Sequence, residues 1–159
     1  MSNETCTSSS SSFVERIHST QRNILDSKLF MRPTKICLLD FIGAPKYFIS
    51  DFGAIWERHH VYPNIVNKLT KGYLPMAILD QAYPYPWVKL PTTDGMRWFP
   101  VNQLLGWAFK PQSDKQAKYF ICDDPGLYPH ELSEYRWSDT LPPTQTTSRY
   151  VAFMESIYR

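Results

Sequence analysis

The chain has 159 residues, of which 43% are hydrophobic and 15% aromatic, and a formal net charge of +2. That length is one domain with tails, able to bury roughly 70% of its unfolded surface, while 13 prolines and 10 tyrosines speak against a helical bundle. The sequence lacks a run of about 18 apolar residues, so no membrane partner is expected, and the N-terminus lacks the basic-then-apolar pattern of a secretory signal.

The three cysteines, Cys6, Cys37 and Cys122, are odd in number and have no metal-ligand spacing. They read as reduced thiols of a protein that stays in the cytoplasm or in an intracellular or viral assembly. Residues 61–120 hold seven Lys+Arg against three Asp+Glu, and residues 121–159 hold three against six. The middle of the chain is therefore basic and its end acidic.

In chain order, residues 1–12 are polar and low in complexity and are expected to be disordered alone. Residues 13–30 place Phe13, Ile17, Ile24, Leu25 and Leu29 at spacings that predict a helix, closed by Pro33. An apolar run at 36–42 ends in the turn signal Gly43-Ala44-Pro45. Tyr47–Ile49 and Ile55–Trp56 flank Ser50-Asp51-Phe52-Gly53, a strand, tight turn and strand in which Gly53 takes positive φ. His59 and His60 are adjacent, would point to opposite faces of a strand, and read as a solvent-facing pair rather than a metal site.

Residues 73–79 predict a strand whose Pro75 calls for an edge or a bulge. Residues 81–86 form a stiff Tyr-Pro loop, either packed or serving as a docking surface. Thr93-Asp94-Gly95 between two apolar runs predicts a hairpin. It feeds directly into residues 98–111, which run from a short apolar strand into an amphipathic helix around Leu104, Leu105, Ala108 and Phe109, with Val101 one turn earlier, Lys110 suited to the helix dipole and Pro111 as the stop. Residues 119–137 read as a strand, an acidic turn and a helical piece ending at Trp137, and residues 138–148 as an extended linker. The last eleven residues form either a short helix or a strand that adds to a partner.

Two pieces resemble a known group. Tyr47, Ile49, Ser50, Asp51, Phe52 and Gly53 follow the pattern of the nuclease-associated modular domain, and residues 72–74 with 99–111 resemble the entry to an HNH endonuclease module of the phage and homing type. The resemblance covers residues 45–137. It implies a histidine base that activates water against a phosphodiester and a metal ion that neutralises the developing charge. Carried onto this chain, the Asp/Asn-His pair falls at Cys122 and Asp123, the late Asn at Glu134, and the histidine at the start of the central helix at Asn102. All four positions have departed from the pattern, and a slip to Asp124 does not restore it.

The expected fold is α+β: short antiparallel strands and hairpins on a central helix, a degenerate ββα-like unit near 98–137, and extended terminal arms. The expected division is 1–34 (polar arm and helix), 35–137 (the nuclease-associated and HNH-like domain) and 138–159 (linker and aromatic tail). The resemblance implies a nuclease-like scaffold without catalytic residues, metal or cofactor, acting as a structural or interaction protein of viral type that reaches other protein subunits through its arms. The alternative is a module that binds DNA or RNA through Lys68, Lys71, Lys89, Arg97, Lys110, Lys115 and Lys118, with Trp98 or Trp107 for stacking. A third reading, a metal-dependent nuclease, would use His130 beside Asp123, Asp124 and Glu134.

Overall fold

The structure, a computed structural model, describes residues 9–19, 21–28, 32–57, 77–79, 85–112, 114–123 and 131–158. The fold is α+β. Helix α1 (Ser9–His18) leads into a four-stranded antiparallel sheet in the order β1 (Ile24–Ser27), β2 (Thr34–Leu38), β3 (Tyr47–Ser50) and β4 (Ile55–Glu57). A three-stranded sheet follows, β5 (Ala77–Leu79), β6 (Pro86–Thr92) and β7 (Gly95–Pro100), and β7 runs straight into helix α2 (Val101–Phe109). The last part is a two-stranded ribbon, β8 (Tyr119–Cys122) with β9 (Tyr135–Ser138), and helix α3 (Ser148–Tyr158).

The β6–β7 hairpin forms where Asp-Gly marked it, with Thr92 opposite Gly95. The β3–β4 turn also stands, and Gly53 there has φ +93°. Gly43 shows why a glycine is needed at its turn. It sits at φ +82° after a 3-10 turn, and its carbonyl accepts the Thr93 N–H at 2.9 Å. A side chain there would also meet Thr93 Oγ1 at 2.8 Å, so Gly43 lets the first sheet approach the tip of the hairpin.

Helix α2 is the centre of the fold, but it is not amphipathic. Every residue from Val101 to Ala108 is buried, so the helix has no solvent face among those positions. The first helix also differs from expectation. It includes the serines at 9–12 and stops at His18, and the chain then extends into β1. Phe13 and Ile17 are its buried pair, whereas Ile24 and Leu25, which fitted the helical spacing, are 40% and 43% exposed on a strand.

The end of the chain packs inward. The predicted helical piece before Trp137 is a short 3-10 turn followed by a strand, so Trp137 lies in β9. The supposed linker contributes fully buried Gln145 and nearly buried Thr147. Helix α3 buries Tyr150, Met154 and Ile157, and Phe153 packs its ring 5.8 Å from Trp87 and 6.3 Å from Trp107. Phe13, Leu104 and Tyr150, one from each of the three sequence segments, therefore meet in a single core. Ser148–Tyr158 is a helix of that core and not an extended arm. Among the described residues of 98–137 the order is strand, helix and ribbon, and hairpin-then-helix occurs earlier, as β6–β7–α2.

Candidate functional site

The residues at the positions carried over from the HNH pattern are built around strand β8. On one side β8 pairs with β9. On the other side the backbone bonds that we find are made by side chains. Gln103 Oε1 accepts the Phe120 N–H at 2.8 Å, and Asn102 Nδ2 donates to the Phe120 carbonyl at 2.8 Å. Two residues along, the Tyr85 hydroxyl accepts the Cys122 N–H at 2.8 Å and Gln145 Nε2 donates to the Cys122 carbonyl at 2.8 Å. The same groups bond one another: Tyr85 donates to Gln145 Oε1 at 3.0 Å, and the Tyr150 hydroxyl to Gln103 Oε1 at 2.6 Å. Two amides on α2, one on a 3-10 turn and a phenol thus complete the edge of a buried strand, where unpaired backbone groups would be costly.

Two of the four carried-over positions, Asn102 and Cys122, belong to this network, and the other two have partners of their own. Asn102 holds a strand carbonyl. Cys122 is buried, and burial raises its thiol to about 11, so at neutral pH it is a protonated thiol. Asp123 takes Arg136 Nε on both oxygens, at 3.0 and 2.9 Å, and that hydrogen-bonded guanidinium draws its carboxyl below the usual range. Glu134 accepts the Glu131 N–H at 3.1 Å and closes the 3-10 turn. Among the described residues no group of three His, Cys, Asp or Glu converges as a metal ligand set. His130 and Asp124 lie outside the described residues, as do His59, His60, Lys68 and Lys71.

The basic residues divide between two places. Lys89 and Trp98 are cross-strand partners on the hairpin, with the ammonium 5.8 Å from the indole. Arg97 points to the opposite face and lies 5.2 Å from the Phe13 ring of α1. Lys110, Lys115 and Lys118 gather instead beside the end of α1. Lys118 stands 5.2 Å from the Tyr158 ring, which has His18 on its edge at 6.1 Å. Burial, then the charge of Lys115, lowers the His18 pKa. Trp107 is 3% exposed within the core and offers no face for stacking.

Between α1, β1 and the end of α2 lies a cleft of about 120 Å³, whose apolar walls include Ile17, Ile24, Trp107 and Trp137. His18, Arg22 and Lys110 line it too, and among the described residues no carboxylate does. Arg22 is the residue that sequence reasoning missed. Its Nε donates to the Trp107 carbonyl at 2.8 Å, near the C-terminus of α2, and another guanidinium nitrogen donates to the Ile17 carbonyl at 2.8 Å, near the C-terminus of α1. The Phe41 ring lies 4.0 Å beneath it. One guanidinium therefore caps two helices, satisfying terminal carbonyls and meeting both negative dipole ends. That is the role the sequence pattern gave to Lys110, which is instead an exposed residue just past the helix. Burial lowers the Arg22 pKa from its usual value.

Comparison with families of known proteins, with characterised proteins and with solved structures returns no match. Among the described residues no helix is long and apolar enough to cross a membrane.

Proposed function

We propose that this chain is a non-catalytic, HNH-like scaffold that works as a structural or interaction protein in a larger assembly of viral type. The observation that carries the reading is the employment of Asn102, Cys122, Asp123 and Glu134. Each position where the resembled chemistry needs a base or a metal ligand holds a group bonded to its own fold or buried as a neutral thiol. Hydrolysis of a phosphodiester by this route needs a base free to take a proton and open metal positions. Calorimetric titration with Mg²⁺ and with Mn²⁺ tests the reading. The scaffold takes up neither ion stoichiometrically, and saturable binding of one ion per chain would overturn it.

A second reading, a nucleic-acid-binding module that has lost cleavage, is favoured by one observation: Lys110, Lys115 and Lys118 gather beside His18, with Tyr158 among them. Cations interleaved with aromatic rings suit a single strand. Binding of DNA or RNA that weakens steeply with salt supports this reading, and salt-independent or absent binding refutes it.

A further inference from the structure

We propose that the free edge of β1 and the adjoining cleft form a docking site for an extended segment of a partner protein. The segment adds as an antiparallel strand, places an apolar side chain opposite Ile24, and carries an acidic side chain two positions further on. The proposal rests on the interaction-protein reading and names the partner's chemistry.

Three observations converge on this edge. The first is the backbone. β1 is the outer strand of its sheet, and among the described residues no strand covers its far side. The Leu38 N–H donates to the Asn23 carbonyl at 3.0 Å, which fixes the phase of the ladder. Antiparallel alternation then turns the N–H and C=O of Ile24 and Asp26 away from β2, toward the open side. The second is apolar surface. Among the described residues, Ile24 and Leu25 are two of the three large hydrophobic residues left exposed, on a strand edge of the kind proteins usually blunt.

The third is the cleft and its charge. Ile24 lines it, and a residue directly opposite Ile24 on an added strand shares its face, so its side chain enters a space of about 120 Å³ walled by Ile17, Trp107 and Trp137. That volume suits one aliphatic side chain. Continuing antiparallel, the next residue on that face moves toward Arg22, on the rim of a cleft lined by His18, Arg22 and Lys110 and, among the described residues, by no carboxylate; Asp40, whose charge reaches Arg22, is itself bonded to Asn23 at 2.7 Å. In the other direction the matching residue faces exposed Asp26. Charge thus sets polarity: basic or neutral before the apolar anchor, acidic after it. A nucleic acid would use the same cations but gains nothing from strand-edge backbone groups, so the edge favours a peptide.

The test uses the full chain and a fluorescein-labelled heptapeptide, Thr-Lys-Thr-Leu-Thr-Glu-Thr, read by fluorescence polarisation. The expected result is saturable binding, weakened about tenfold or more when the leucine is N-methylated and its ladder donor lost. Lys110→Glu, an exposed change, should weaken it several-fold. Ile24→Pro should do the same, because proline is tolerated at an edge where its N–H would face outward. Equal affinity for the N-methylated peptide, or for the peptide with lysine and glutamate exchanged, would overturn the proposal. So would displacement by oligothymidylate at lower concentration than by unlabelled peptide. A wild-type dimer in sedimentation that Ile24→Pro dissociates would assign the edge to a second copy and also overturn it. Stoichiometric Mn²⁺ binding defeats the scaffold reading, whereas loss of peptide binding alone defeats only this docking edge.

Discussion

Gly106→Ala should destabilise the protein even though alanine is the better helix former. Gly106 lies in the middle of α2, where replacing glycine by alanine is ordinarily worth about 1 kcal/mol in favour of the helix. Here the new Cβ would stand 2.5 Å from Cγ, 2.8 Å from Cβ and 2.9 Å from Cδ1 of Phe120. Comfortable carbon contacts lie near 3.5–4.0 Å, so about 1 Å of movement is needed. Phe120 has little freedom to supply it. Its ring stacks on Tyr135 at 4.9 Å with 6° between planes and leans on Trp137 at 4.9 Å, while Asn102 and Gln103 clamp its backbone. Overpacking costs about 1–3 kcal/mol, and against a ring held this firmly the cost falls in the upper half of that range, so after the propensity gain the net loss is about 1–2 kcal/mol. Urea denaturation of wild type, Gly106→Ala, Phe120→Leu and the double variant completes a thermodynamic cycle. The expected coupling between the two sites is about 1 kcal/mol, with the smaller side chain at 120 relieving the clash. A Gly106→Ala protein as stable as wild type or more so would refute the close packing of α2 on β8.

Further outcomes follow from the polar network and the buried groups. Gln103→Leu removes the acceptor for the Phe120 N–H and the Tyr150 hydroxyl, and should lower the unfolding free energy by about 3 kcal/mol in the same denaturation assay. Arg22→Leu keeps aliphatic bulk but uncaps both helices, and should lose about 2 kcal/mol, whereas exposed Lys110→Leu should change stability by less than about 0.5 kcal/mol. Burial raises the thiols of Cys37 to about 12 and Cys122 to about 11, so both should resist a thiol-specific chromophore at pH 8 until denaturant is added. The sign of the linkage is set by the same shifts. The folded state holds these protons more tightly than the unfolded, so their contribution to stability is present below pH 9 and is lost as pH rises toward 12. Melting curves across that range check it.

The parts of the fold legible in the sequence were those written in local pattern. The hairpin at Thr93–Gly95, the turn at Gly53 and the helix following β7 all rest on neighbouring residues whose conformations they constrain. Ile24 and Leu25 misled because helical spacing continued past the end of α1 by coincidence, and nothing local marks that strand. The polar residues of α2 looked like a solvent face, since only tertiary structure reveals that Asn102 and Gln103 face the backbone of a strand about 17 residues away. For the same reason Gln145 passed as linker and Arg22 passed unnoticed: each acts on a carbonyl far along the chain. Of the proposed basic surface, Lys110, Lys115 and Lys118 each lie near His18 or its ring partner Tyr158, and Lys89 and Arg97 are set apart on opposite faces of the hairpin, a separation fixed by strand register.

The scaffold reading proposed above holds that this chain does not cut nucleic acid. Incubation of supercoiled plasmid with the purified chain in Mg²⁺ and then in Mn²⁺, followed on an agarose gel, tests it most directly. Under that reading the plasmid stays supercoiled at every protein concentration. Nicked or linear product that grows with wild-type protein and disappears in His130→Ala would contradict it.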